Sequence, residues 1–221
     1  MIPNFSKAEE NYIKSIFHLE QQSGSVTTNE LATVMQTKPA SVTDMLKKLK
    51  ARHLLHYKPY ASFNLSAEGK KLALNIIRRH RLWEFFLVEK LQFGWDEVHD
   101  VAEELEHVGS SKLIDKLDAF LAFPKFDPHG DPIPDANGKM SLQKHINLTI
   151  LPENKPAEVT AVGGQLPDLL EMLKQKNIHI GTKILIKKKF VFDSSLEIKI
   201  NNKPVENISE QLAKSLYVKP I

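Results

Sequence analysis

Residues 123–138 contain Pro124, Pro128, Pro132 and Pro134 together with Gly130 and Gly138, a density of breakers that neither a helix nor a central strand accommodates. The stretch divides the chain into two parts of different periodicity. Ahead of it, apolar residues recur at the three- and four-residue intervals of amphipathic helices. Behind it, short runs at 144–151, 157–162, 183–192 and 196–201 read as strands, turned by Gly163-Gly164, Gly181 and Asp193-Ser194. One helix, at 167–176, interrupts them, and short strands in this arrangement predict a small β-barrel.

The first 66 residues have their own pattern. Ser6 is placed to cap a helix over 7–20 whose apolar residues are Tyr12, Ile13, Ile16, Phe17 and Leu19. A short helix over 28–35 follows a threonine cap, and Pro39 opens a third helix that runs to Leu49. Two short helices joined by a tight turn make a helix-turn-helix. The runs 54–58 and 63–66, around Pro59-Tyr60-Ala61-Ser62, add a hairpin and predict a winged helix. Its second helix would enter the major groove of double-stranded DNA, with Lys38, Pro39, Ala40, Ser41 and Thr43 facing the groove. Lys47, Lys58 and Tyr60 would lie along the phosphate backbone.

Charge follows the same division. Residues 1–81 carry 13 Lys and Arg against 6 Asp and Glu, whereas residues 82–140 carry 5 against 13. A basic front before an acidic middle suggests a polyanion-binding module joined to a cation-binding one. The absence of cysteine removes disulfides, thiolate metal sites and thiol nucleophiles. No apolar run approaches the roughly 20 residues of a membrane helix, and no signal-peptide core is present, so a cytoplasmic protein without membrane contact is expected.

A long helix over 67–90 is apolar on more than one stripe around Trp83, Phe85, Phe86 and Leu87, as a homodimer interface requires. Further helices are predicted at 95–107 and 110–121. Within this region His80 and Glu84 stand four residues apart on one helix, and His99, Glu103, Glu106 and His107 share a face of the next. Converging imidazole and carboxylate groups suit a fairly hard divalent transition metal. The spacing is not that of a zinc protease, which makes a metal-dependent hydrolase the weaker alternative. A winged-helix regulator sensing a non-metal signal is the other.

The strings Arg79-His80-Arg81-Leu82-x-Glu84 and Val98-His99-Asp100-x-Ala102-Glu103-x-Leu105-Glu106-His107-Val108 resemble the metal-binding signature of the diphtheria-toxin-repressor family of metal-dependent transcriptional repressors. Glu10-Asn11-Tyr12-Ile13, Pro128-His129-Gly130-Asp131-Pro132-Ile133-Pro134 and Ile178-His179-Ile180-Gly181-Thr182 resemble the same family, so the likeness runs through essentially the whole chain. It implies an α+β, mostly α fold in three parts. These are a winged helix-turn-helix (1–66), a helical metal-binding and dimerisation domain with the Pro-rich linker (67–140), and an SH3-like, FeoA-like β-barrel (141–221).

The resemblance also implies two metal sites, one from His80, Glu84 and His99, the other from Glu103, Glu106 and His107 completed by Asn11. A carboxylate at Glu103 resembles the manganese-sensing branch, where the iron-sensing branch has cysteine. Mn2+ is therefore the expected co-repressor and Fe2+ the alternative, with Zn2+, Co2+ and Ni2+ able to substitute in vitro. Asn11 departs from both branches, since iron sensors of the family carry Met there and manganese sensors Asp, and Lys14 departs from the short manganese regulators, which place an acidic ligand at that position. A metal-loaded homodimer on palindromic operator DNA, controlling metal-uptake genes, is the function the resemblance implies.

Overall fold

The computed structural model describes residues 5–58, 61–108, 110–142, 144–164, 166–201 and 203–221. These form two compact units. The first comprises residues up to His80 with Leu105–Lys112 and Pro134–Lys139, and the second Arg81–Glu104, Leu113–Ile133 and Met140–Ile221.

In the first unit, helix α1 (Lys7–Ser23) starts where the sequence places it, because Ser6 and Glu9 form a reciprocal capping box. It stops at Gly24, whose φ of 77° lets its N–H reach Glu20 O. Helix α2 (Thr28–Val34) is capped in the same way by Thr27 and Glu30. Helix α3 (Pro39–Ala51) has Pro39 in its first turn and no side-chain cap from Lys38. Strands β1 (Leu55–His56) and β2 (Asn64–Leu65) pair antiparallel as a short wing. The wing turn at Pro59 and Tyr60 lies outside the described residues.

Ile13 and Ile16 of α1, Leu31 of α2, Val42, Leu46 and Leu49 of α3 and Phe63 beside the wing are fully buried. Each contributes roughly 2 kcal/mol by leaving water. Helix α4 (Ala67–Leu91) buries Ala73, Ile76 and Ile77 in its first half.

Glu9 does more than cap α1. Its Oε1 accepts a 2.7 Å hydrogen bond from Arg52 Nη1 and lies 3.5 Å from Lys48 Nζ, both at the C-terminal end of α3. Burial works to raise the Glu9 pKa, but hydrogen bonds from the Ser6 backbone and Arg52 outweigh it and bring the carboxyl from 4.5 down to about 2. A depressed carboxyl pKa gives stability that is complete above the unfolded value and is lost as pH falls toward the folded one. Glu9→Gln is therefore expected to cost about 2 kcal/mol at pH 7. It should also flatten the fall in stability between pH 4.5 and about 2, as read from urea melts across that range.

In the second unit, helices α5 (Val98–Leu105) and α6 (Ser111–Phe120) are shorter than the periodicity predicts. Gly94 and Trp95 to Glu97 turn before α5, with Glu97 Oε1 accepting from Gly94 N at 2.7 Å, and Glu106 and His107 lie in the turn that follows it. Leu82, Ile114, Leu117, Leu121 and Ile133 make one small core, and Trp83, Phe85 and Phe86 pack against it.

The C-terminal part is a six-stranded antiparallel sheet in the order β3-β8-β4-β5-β6-β7. Its strands are β3 (Ile146–Asn147), β4 (Pro156–Val162), β5 (Lys183–Lys189), β6 (Leu196–Ile200), β7 (Val205–Ile208) and β8 (Leu216–Pro220). Helix α7 (Pro167–Gln175) follows β4, and helix α8 (Glu210–Lys214) precedes β8.

Three features of the sheet differ from the expectation. The strand predicted over 144–151 is cut to Ile146–Asn147, because Asn147 Oδ1 accepts from Thr149 N and bends the chain into a 3-10 turn. Strand β5 ends at Lys189 rather than 192, after a bulge between Ile186 and Lys188. Strands β7 and β8 and helix α8 have no counterpart in the sequence reading. β8 pairs with β4, more than fifty residues earlier, and long-range pairing leaves no local signal.

Candidate metal centre

In the first unit α1 carries Glu10, Asn11 and Lys14 on adjacent positions of one helical surface. Glu10 Oε2 lies 2.6 Å from His107 Nδ1, and Glu10 Oε1 accepts from Arg79 at 2.6 Å. A carboxylate can only accept, so the neutral His107 ring protonates Nδ1 and carries its lone pair on Nε2. That nitrogen stands 3.8 Å from Glu106 Oε1. A carboxylate orienting an imidazole whose other nitrogen faces a second carboxylate is the arrangement that holds metal-binding histidines in place.

Glu106 is fully buried. It accepts from Lys14 Nζ at 2.8 Å through each oxygen and pairs with His80 Nδ1 at 2.7 Å through Oε2. Burial works against its charge, yet the His80 hydrogen bond and the Lys14 ammonium prevail and hold the carboxyl below its ordinary range. Asn11 Oδ1 is buried and accepts no hydrogen bond. Leaving an amide oxygen so placed costs about 1–3 kcal/mol, and a cation would satisfy it. By that observation and by the donor set, the residues present fit a divalent ion.

The second unit holds a further constellation. Glu84, with no side-chain exposure, lies 3.3 Å from His99 Nδ1, and His99 Nε2 is 3.7 Å from Glu103 Oε1 one turn along α5. Two residues that the sequence reading left in the linker join them. Glu84, Asp127 and His129 are all buried, and each offers one ligand atom within 4.8 Å of the others.

His129 is fixed from several sides. Its ring stacks on Trp95 at 5.4 Å and 4°, and its backbone carbonyl accepts from Val162. Its Nε2 lies 3.3 Å from Trp95 O, which accepts only, so in the neutral ring Nε2 carries the proton. The lone pair is then on Nδ1, 3.9 Å from Glu84 Oε2. Burial keeps His129 below its ordinary pKa and so neutral at pH 7. Burial, reinforced by the Glu84 charge, pushes the Asp127 carboxyl well up, against the pull of Arg81. Two buried carboxyl groups and an imidazole at that spacing make a candidate cation site, and a bound cation would offset the burial and the Glu84 charge that push Asp127 up.

The sequence pairs His80 with Glu84 and His99, and the structure adds a short contact from His80 to Glu106. Glu10, Asp127 and His129 are what the sequence reading missed. The signal for the last two is a histidine flanked at both second neighbours by aspartate in a stretch that looked like mere linker.

Helix α3 is the second helix of the helix-turn-helix, the recognition helix. Lys38, Pro39, Ala40, Ser41, Lys47 and Lys58 are exposed, and Thr43 is half-buried with its hydroxyl donating to Pro39 O. Lys47 pairs with Asp44 at 3.1 Å, while Tyr60 lies outside the described residues. Thr27, Asn29, Thr43, Lys47, Tyr57 and Ser62 line an open cleft between the helices and the wing.

A winged helix beside a buried set of histidines and carboxylates defines a class, the metal-dependent transcriptional regulators, and comparison with known proteins places the chain within it. "Iron dependent repressor, N-terminal DNA binding domain" matches residues 4–62, "Iron dependent repressor, metal binding and dimerisation domain" matches 66–135, and "FeoA domain" matches 146–220. The diphtheria toxin repressor of Corynebacterium jeikeium is 30% identical over 160 residues, covering 68% of this chain and 67% of that protein. The HTH-type transcriptional regulator MntR of Oceanobacillus iheyensis is 32% identical over 118 residues, 53% of this chain and 80% of the relative. A solved structure of a manganese-dependent transcriptional repressor in complex with manganese superposes with a TM-score of 0.86 at 29% identity, covering 96% of this chain and 99% of that one.

The chain belongs to the diphtheria-toxin-repressor family of metal-dependent transcriptional repressors. That family consists of regulators rather than enzymes, and no described helix is long and apolar enough to cross a membrane.

Proposed function

We propose that this protein is a cytoplasmic repressor that binds palindromic operator DNA as a homodimer when loaded with Mn2+, with Fe2+ as the second candidate, and so controls genes for metal uptake. The observation that carries the reading is Asn11. Its buried Oδ1 accepts no hydrogen bond, on a helix whose neighbouring side chains already reach His107 and Glu106.

Asn11, Glu106 and His107 would hold one ion, with Glu103 added from the preceding turn by the sequence argument. Glu84, His99, Asp127 and His129 would hold another. His80 would support the first set through Glu106 as well as serving the second by sequence. Bound there, a divalent ion supplies positive charge to buried carboxylates that oxygen- and nitrogen-rich ligands suit to manganese.

The chain's own residues do the rest. Exposed Lys38 and the uncapped N-terminal amides of α3 meet phosphate, Ser41 and Thr43 approach base edges, and Lys47 and Lys58 add backbone contacts. Tyr60 is assigned to the same surface from the sequence. For the dimer, Phe120 and Phe123 remain about two-thirds exposed at 65% and 62%, and Phe86 tilts onto Phe120.

The test is a mobility-shift titration on duplexes selected from random DNA by the protein itself. Retardation that requires Mn2+ in the micromolar range, and a selected site with two-fold symmetry, are expected. Equal binding with and without metal after chelation would overturn the metal-dependent reading, and a selected site lacking symmetry would overturn the dimeric one.

A further inference from the structure

The Lys14 ammonium stands where a cation must stand if Glu106 is a metal ligand. Its Nζ lies 2.8 Å from both Glu106 oxygens, and the two side chains are 13% and 0% exposed. Lys14 follows Asn11 by three residues and Glu10 by four, so α1 carries a neutral amide and a tethered cation on one surface, and the cation is what reaches Glu106. Glu10 meanwhile fixes the histidine next to that carboxylate.

Resting on the metal-site reading above, we propose that Lys14 is an internal competitor that sets the ion concentration at which the protein responds. Its ammonium neutralises Glu106 in the metal-free protein, which spares the fold a buried carboxylate held by His80 alone. A divalent ion binds only by taking at least one Glu106 oxygen from it. Two cations on one carboxylate repel strongly where water is scarce. Asn11, being neutral, brings no charge to offset the loss of the ion pair. The affinity of the site is therefore set lower than its ligands alone would give.

Calorimetric titration of the full-length protein with Mn2+ tests this, using wild type, Lys14→Leu, Lys14→Arg and Glu106→Gln. Lys14→Leu removes the competitor without adding a donor atom and should bind the ion about tenfold more tightly, the effect of one partly buried charge pair. Lys14→Arg keeps the charge and should bind no more tightly than wild type.

A second readout needs no substitution. Acetylation of Lys14 by acetic anhydride, followed by mass spectrometry, should be slow in the metal-free protein and rise severalfold when Mn2+ is added. Unchanged affinity in Lys14→Leu, or unchanged Lys14 labelling at saturating Mn2+, overturns the proposal. If Glu106→Gln loses the ion while Lys14→Leu gains nothing, the competitor role alone falls. If Glu106→Gln binds as wild type does, the metal-site reading falls and this inference with it.

Discussion

Glu106→Gln is expected to weaken Mn2+ binding at least about 100-fold, the cost of removing one member of a buried charge cluster, and to abolish metal-stimulated retardation of DNA. The substitution keeps the side chain's size and removes only its charge. Glu106 is fully buried, receives Lys14 through both oxygens and pairs with His80. A neutral amide there turns an N–H2 group toward a donor that it cannot satisfy, and leaves the Lys14 ammonium partly buried without its counter-charge. The metal-free protein should lose stability as well, so far-UV circular dichroism accompanies the binding measurement. A folded Glu106→Gln protein whose Mn2+ affinity and DNA binding match wild type would show that Glu106 is a structural ion-pair partner and no ligand.

The other large effect lies in the loop that carries Asp127 and His129. Gly130 has a φ of 88°, and a Cβ on it would stand 2.1 Å from Thr160 O and 2.7 Å from Ala161 Cα on β4. Backbone cannot move aside as a flexible side chain can, since His129 O accepts from Val162 N and Gly130 N donates to Asp127 O. Gly130→Ala combines left-handed strain with a backbone clash and is expected to cost about 3 kcal/mol or more. A thermal midpoint lowered by several degrees would be the readout. It should also weaken ion binding at Glu84, Asp127 and His129, because the loop that orients His129 is the loop displaced. A midpoint within about 1 °C of wild type would mean that the loop has room which its contacts with β4 do not suggest.

Local chemistry made the first half of the chain readable. Capping boxes at Ser6 and Thr27, Pro39 at the start of α3 and the apolar periodicity of α4 are all encoded within a few residues, and the helices appear where those signals stand. The C-terminal sheet was legible only in the strands that alternate or run apolar by themselves, β4, β5 and β6. β8 gains its partners β3 and β4 through long-range pairing, and a five-residue run ending in proline does not announce that.

The candidate site divides in the same way. Residues sharing a helix, such as His80 with Glu84 and His99 with Glu103, are visible as spacing. Asp127 and His129 are not, because the turn joining Asp127 O, Gly130 and Asp131 places them, and such a turn reads as punctuation in sequence. The role of Lys14 was equally hidden, since nothing in the sequence says that a lysine 92 residues from a glutamate will meet it.

Glu9 and Glu10 are consecutive residues of α1, yet Glu9 grips the end of α3 through Arg52 and Lys48 while Glu10 orients His107. One peptide bond thus separates the hold on the recognition helix from the hold on His107, the histidine assigned above to the proposed ion site. Coupling free energies are reciprocal, so whatever factor a bound ion adds to DNA affinity, bound DNA returns to ion affinity. A molecule seated on a strong operator then keeps its ion as the surrounding concentration falls, and one on a weak operator gives it up sooner. Two promoters in one cell would read the same ion concentration as different signals, with the difference written in the DNA and not in the protein.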